Sequence, residues 1–373
     1  MDLAFYYSAI GQIDSASRAV EVALSLNRDN RYLLRSGSRF YIHSRVSEKA
    51  LYYVRQSSLI QKDPWLVAAE IAISDSIGKT PKQMKLGKQM LERAAFPMLH
   101  LSELASAIGT IELKNGATRK GRKLFGLSLE DPTENALAQA TSMQDEIGDL
   151  REKINPEALA QSFEAEARIK FDEQDFEGSM EATKKWFAYQ PFSSRPAVSG
   201  SYIASVGLGR FDEAIKIATM GLLSSPREFM LNNNLAFALA SLDRVSEAVE
   251  ALRPINEGDL KESEKATLTA TRGTIAFREG GVDEGRALYK SAIETFKREK
   301  DLRSEALATY FWAREEERIK SPGCGEMKEQ VTKIARHLNL VELLPPSAKE
   351  TKVSIEDVEK HSKKRSAKKP EKN

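Results

Sequence analysis

Gly209-Arg210-Phe211-Asp212-Glu213-Ala214-Ile215 is followed, 34 residues later, by Asp243-Arg244-Val245-Ser246-Glu247-Ala248-Val249. Both stretches run from a turn-forming residue through an apolar and an acidic or polar position to a glutamate, a small residue and an aliphatic one. Gly280-Gly281-Val282-Asp283-Glu284-Gly285-Arg286 and Gly11-Gln12-Ile13-Asp14-Ser15-Ala16-Ser17 carry the same pattern. Each reads as a tight turn that opens an amphipathic helix, and each follows another amphipathic stretch.

The small residue sets a register. It falls at Ala16, Ala50, Gly121, Ser179, Ala214, Ala248 and Gly285. Ala16 to Ala50 is 34 residues, Ser179 to Ala214 is 35, Ala214 to Ala248 is 34 and Ala248 to Gly285 is 37. Ala50 to Gly121 is 71, which leaves room for one degenerate copy. Two helices per period of about 34 residues is a repeat of helix pairs. Antiparallel helices approach closely only where the contacting side chains are small, and large neighbours fill the space beside that contact.

Other positions extend the pattern. Ile108-Gly109, Leu235-Ala236 and Arg272-Gly273 supply a large-then-small pair in the first helix. Phe125 and Tyr289 stand four residues after the small residue of the second, and Ala23, Ser128, Gly221 and Ala292 add a second small position. Pro64, Pro132, Pro191 and Pro226 close units where a helix must stop. On these residues the chain resembles the tetratricopeptide repeat (TPR) family over roughly residues 1–300. The match is strongest at 163–296 and weaker at 64–135, where Gly78-Lys79-Thr80-Pro81 lengthens a turn. The resemblance implies an all-α fold, an α-solenoid of antiparallel helix pairs wound as a right-handed superhelix.

The expected organisation follows from the register. Residues 1–135 form N-terminal repeats and 163–300 C-terminal repeats. Aligned by its turn, the first repeat lacks the opening residues of its first helix, so either the chain begins late or a partner covers that end. Residues 136–162 interrupt the rhythm with an extra helix at Ala136–Gln144 and a polar connection through Asp145, Gly148 and Pro156. That stretch is either a joint between two halves or a simple insertion. Residues 301–344, with the amphipathic run Leu302 to Arg314, read as capping helices, which a solenoid needs over its last apolar face. Residues 345–373 read as a disordered tail.

Composition narrows the function classes. The 56 basic and 54 acidic residues leave a formal net charge of +2, so the whole chain has no strong pull toward nucleic acid or an anionic membrane. Its one cysteine, Cys324, rules out an internal disulfide and suits a reducing cytoplasm. The amino-terminal residues have no basic stretch of the signal-peptide kind, and no apolar run reaches the roughly 18–20 residues of a membrane span. A cytoplasmic protein is expected.

No chemistry-bearing motif stands up. Gly116, Gly121, Arg122 and Lys123 lack the Gly-Lys-Ser/Thr order that a phosphate loop requires. Gly207-Leu208-Gly209 and Gly323-Cys324-Gly325 do not sit between a strand and a helix. His43, His100, His337 and His361 are too scattered for a zinc set of about four converging ligands. The acidic run Glu315-Glu316-Glu317 reads as a solvated face or as ion pairs. No catalytic residue, cofactor or metal is expected, and the chain reads as a non-enzyme.

The resemblance implies that the first helix of each pair lines a concave groove that holds an extended peptide or a helix from a protein partner. The register places Arg35, Arg39, Arg168, Asn233, Asn234, Phe237, Thr271, Thr274 and Arg278 on that face. Asparagine offers both donor and acceptor, and arginine can grip a carboxylate with two bonds. Asn234 matches one position of the family's carboxylate clamp. Thr271 and Ile203 stand where the clamp needs a base and an asparagine, so chaperone-tail binding is not expected. An adaptor or scaffold is the first reading. The alternative is a regulator of a nucleic-acid complex that uses the basic tail. There Lys363, Lys364, Arg365, Lys368 and Lys369 could touch phosphate or an acidic partner, or simply keep the terminus soluble.

Overall fold

A computed structural model of the chain describes residues 1–340 and 343, apart from 94, 323 and 339. Among the described residues there are twenty α-helices and no strand. The helices alternate as A and B members of pairs. The first four pairs are α1 (Asp2–Ala9) with α2 (Ile13–Leu26), α3 (Arg31–His43) with α4 (Ser47–Gln56), α5 (Pro64–Ser76) with α6 (Met84–Arg93), and α7 (Met98–Lys114) with α8 (Thr118–Ser128). The fifth is α9 (Glu134–Ser142) with the single turn α10 (Gln144–Ile147). Next come α11 (Phe163–Asp172) with α12 (Phe176–Tyr189), α13 (Ser194–Tyr202) with α14 (Phe211–Ser224), and α15 (Phe229–Ser241) with α16 (Val245–Leu252). The last two are α17 (Glu262–Arg278) with α18 (Val282–Glu299), and α19 (Leu302–Arg318) with α20 (Cys324–His337). The chain is an α-solenoid of tetratricopeptide-like helix pairs, packed as two compact units that divide after Gly258.

One geometric rule generates the pairs. Between A and B a single residue takes the left-handed conformation, and the small register residue follows five positions later. Gly209 (φ 66°) precedes Ala214 in this way, and Asp243 (φ 62°) precedes Ala248. The turn at Asp243 shows that a short polar side chain tolerates the conformation where glycine is absent. The register residues are buried at the crossings. A Cβ built on Gly285 would lie 2.4 Å from Phe277 Cδ2, and one on Gly121 would lie 2.5 Å from Leu113 Cγ. Opposite such contacts the large residues pack into the A helix: Phe125 lies against Gly109 and Tyr289 against Gly273.

The degenerate copy is the pair α5/α6, and Gly87 fills its small position. Its Cβ would meet Ile71, Leu104 and Ile108 at 3.1–3.2 Å. Gly78 (φ 68°) turns the chain, but Gly87 follows nine residues later instead of five. The added loop is tied down by Glu70, whose side chain is fully buried. Its carboxylate accepts from the backbone N–H groups of Lys82 (3.1 Å) and Gln83 (3.2 Å) and from Arg55 Nε (3.0 Å).

Caps mark where A helices start. Asn30, Asp63, Thr133, Ser193 and Asp301 each accept from a backbone N–H in the first turn of the helix that follows. Residues 134–162 form a pair whose B member is cut short. The left-handed Gly148 (φ 60°) ends α10, and 3-10 turns at Gly148–Lys153 and Pro156–Ala158 lead to α11. Leu137, Ala140 and Ile147 join Phe125, Leu129 and Ala165 in one core, so α9 takes its place in the row between α7 and α11.

Within the first unit the row of pairs curls until α1 packs on α14. Phe5 stacks on Phe192 with ring centroids 5.2 Å apart, Phe40 meets the same ring edge-on, and Arg45 pairs with Glu228 at 2.5 Å. In the second unit, Tyr289 stacks on Trp312 at 6.2 Å. There α20 lays Val331 and Ala335 against Ala306, in a core that includes Leu340 and Leu343. No described helix is long and apolar enough to cross a membrane.

Candidate functional site

The curl of the first unit leaves a cavity of about 380 Å³ lined only by A helices, from α3 through α13. Its floor is made of small side chains, Ala68, Ala69 and Ala72 from α5, Ala107 from α7 and Ala138 from α9. Ser38, Ser106, Thr110 and Gln139 add hydroxyl and amide groups, and Gln139 Nε2 donates to Thr110 Oγ1 at 3.0 Å. Lys114 pairs with Asp75 at 2.7 Å toward the C-terminal ends of these helices.

Charged groups gather toward the N-terminal ends. Arg35 reaches Glu103 at 3.1 Å and also pairs with Glu134. Arg39 Nη2 donates to Glu134 Oε1 at 2.7 Å and to Asn135 Oδ1 at 2.6 Å. Glu103 is held in turn by Thr133 Oγ1 (2.9 Å) and Asn135 Nδ2 (3.1 Å). Burial alone would raise the Glu134 pKa, but Arg35 and Arg39 outweigh it and hold the carboxyl below its usual range. Burial likewise works against the Arg39 charge, and Glu134 more than restores it. On the far wall, Glu164 serves two arginines, Arg168 at 3.1 Å and Arg195. Four arginines therefore share three carboxylates.

His43 lies beside this cluster, with its ring 5.6 Å from Phe192. Desolvation, assisted by Arg195 and Arg39, pushes its pKa down to about 3. The folded state thus keeps His43 neutral, while an unfolded chain protonates it below about 6.5. Its contribution is intact above that value and is lost as pH falls toward 3. Between pH 7 and pH 5 the wild type should lose roughly 2 kcal/mol more stability than a His43→Gln variant. Urea midpoints at the two pH values test this, and parallel losses in the two proteins would refute it.

The sequence-derived groove positions divide into two sets. Arg35 and Arg39 line the cavity, and Arg168 joins them through Glu164. The other six are buried inside the chain, which corrects the reading of them as groove surface. Asn234 donates to Ser201 Oγ (3.0 Å) and Val198 O (3.3 Å). Asn233 is 4% exposed, and Phe237 packs edge-on against Phe211. Thr271 is 4% exposed, and Thr274 shares a 2.7 Å hydrogen bond with Tyr289. Arg278 is locked to Glu315 at 2.6 Å. The physical reason is the same for all six. Each A helix is covered by its own B helix and by the pairs on either side, so only a narrow stripe of it stays open, and polar character does not reveal which stripe. Buried polar groups there find partners within the protein, as Asn234 and Thr274 do.

Glu103, Glu134, Asn135, Glu164 and Arg195 belong to the site and were not singled out from the sequence. Four of them, Glu134, Asn135, Glu164 and Arg195, sit in the first turns of α9, α11 and α13, just behind caps or turns, and that placement is the one signal that could have found them. The tail residues Lys363, Lys364, Arg365, Lys368 and Lys369 lie outside the described residues. Among the described residues, no three His, Cys, Asp or Glu side chains gather as a metal set.

No protein-family model and no curated protein matches the chain. Similar solved structures include the TPR2AB-domain:pHSP90-complex of yeast Sti1, at 17% identity over 69% of this chain and 96% of that one, with a TM-score of 0.25. Yeast Tom70 is similar at 11% identity over 97% of this chain and 88% of that one, with a TM-score of 0.38. The helix pairs and their register carry the fold class.

Proposed function

We propose that the chain is a non-catalytic adaptor that holds an extended segment of a protein partner in the groove of its first unit. The observation that supports this is the alanine floor. Six successive A helices converge, yet small side chains at Ala68, Ala72, Ala107 and Ala138 leave about 380 Å³ open between them. A core would fill such a space, because interiors are packed to crystal-like density. The size falls within the range of ligand pockets, roughly 300–1,000 Å³. An α-helix is about 10–12 Å across and asks for more room, so an extended segment of a few residues fits better. Hydroxyl, amide and ionic groups along the walls supply partners for a peptide backbone and its side chains.

Filling the floor tests the reading. A displayed random-peptide library is panned on the full chain, and the enriched peptides are measured against an Ala72→Leu, Ala107→Leu double variant. Ala72 is exposed and Ala107 half-buried, so the added side chains point into free space. Binding should weaken by about tenfold or more while thermal stability changes little. Peptides bound equally well by the filled variant would remove the groove from consideration.

A further inference from the structure

The cluster that bridges α3 and α9 is built as if one of its members were standing in for a ligand. Glu134 lies 95 residues from Arg39 in sequence, yet a single oxygen, Oε1, accepts from Nη2 of both Arg35 and Arg39. The two arginines are only 20% and 17% exposed and face the cavity. Its neighbour Glu103 is fastened by Thr133, Asn135 and Arg35 together, whereas the side chains that hold the Glu134 carboxylate are those of Arg35 and Arg39. Glu134 also opens the most weakly braced A helix of the first unit. Helix α9 has nine residues, and its B partner is the four-residue α10. A carboxylate at the first position of a helix stays favourable when it swings to solvent, because the helix N-terminus carries partial positive charge. With Glu134 turned out, Arg35, Arg39, Arg168 and Arg195 would face only Glu103 and Glu164.

We infer that Glu134 is a built-in competitor: its carboxylate occupies the Arg35–Arg39 position that an acidic residue of the bound peptide takes when Glu134 swings aside. This rests on the groove reading above and adds the ligand's chemistry and a threshold for binding. The site admits a segment that brings its own carboxylate and resists a neutral one, because displacing Glu134 without replacement takes the paired carboxylate from the largely buried Arg39 and leaves Arg35 with Glu103 alone. Acidic character is the shared requirement, and it can come from an Asp or Glu side chain or from a C-terminal carboxylate.

The test uses fluorescently labelled hexapeptides on the full chain. One carries Asp and Glu with an amidated C-terminus, one carries the matching Asn and Gln with a free C-terminus, and one is neutral at both. The Glu134→Gln variant keeps the side-chain size and removes the charge. It should bind at least one of the two carboxylate-bearing peptides about tenfold or more tightly than wild type, with the neutral peptide unchanged. The peptide that gains identifies the source of the carboxylate. Without peptide the variant should melt lower than wild type, and the acidic peptide should restore its Tm by more than it raises the wild type's. Glu134→Asp, which retains charge but falls short of the arginines, is the second variant and should gain affinity in the same direction. A structural ion pair would lower Tm without any gain in affinity, and that result overturns the inference. If both variants bind acidic peptides no tighter than wild type, while the Ala72→Leu, Ala107→Leu variant still weakens binding about tenfold or more, the competitor fails and the groove stands. If no peptide binds any of the proteins, both fail.

Discussion

Arg278→Met is expected to destabilise the second unit by about 3–5 kcal/mol, the cost of stranding a buried carboxylate. Arg278 Nε and Nη2 donate to the two oxygens of Glu315 at 2.6 and 3.0 Å. The side chains are 6% and 1% exposed, so water cannot take over when one partner is lost. Arg314 also reaches Glu315 at 3.0 Å and places the expected value toward the lower end of the range. The double variant Arg278→Met, Glu315→Leu removes both buried charges. Arg314, one-quarter exposed, then turns to solvent. It should recover most of the loss, since replacing a buried pair by apolar groups of similar volume is often neutral. Denaturant unfolding of the two variants decides the matter. A single variant within 1 kcal/mol of wild type would mean that Glu315 relaxes to solvent and that the pair is not buried in solution.

Glu70→Ala should cost a similar amount, about 3 kcal/mol or more, and its effect should be local. The carboxylate is fully buried and binds Arg55, Ser74 Oγ and two backbone N–H groups of the lengthened turn. Alanine leaves those N–H groups without an acceptor and frees the loop that carries Lys79 and Lys82. Limited trypsin digestion should therefore cut after Lys79 or Lys82 well before wild type is cut, alongside a lower urea midpoint. Glu70→Gln keeps one acceptor oxygen and should fall between the two. Unchanged cleavage in the alanine variant would show that the loop is held by something other than Glu70.

Much of the architecture was legible because its determinants are local. Ala16, Ala50, Ser179, Ala214 and Ala248 were picked out by spacing, and all are fully buried. A left-handed turn residue and a small residue five positions on lie within a dozen residues of each other, so the pattern survives in one sequence without an alignment. Gly87 escaped notice because four extra loop residues displaced it from its turn. It nevertheless stands 34 residues before Gly121.

The site was only partly legible. Arg35 and Arg39 were found because they sit on a regular A helix in register. Glu134 and Asn135 were missed because α9 opens the stretch where the period breaks, and residues 136–162 gave no phase to count from. Asn234, Thr274 and Arg278 were misplaced for a different reason. A polar residue on an A helix can face a groove or bond to a neighbouring helix, and its identity does not say which. In Thr274 the partner is Tyr289, and in Arg278 it is Glu315.

The sequence by itself determined the helix pairs, their close crossings and their order, because each depends on residues a few turns apart or one period away. Only the tertiary structure decided which stripe of the A helices stays open and which charges meet there. Those contacts join residues up to 99 positions apart, as Arg35 does with Glu134, and the curl that gathers them also brings Arg45 to Glu228, 183 positions away. They arise from the small rotation between successive pairs, summed over seven of them, until α1 returns to α14. Each increment is set by the packing of many side chains at once, so no single repeat carries the curl, and the groove it closes exists only when all the pairs are stacked.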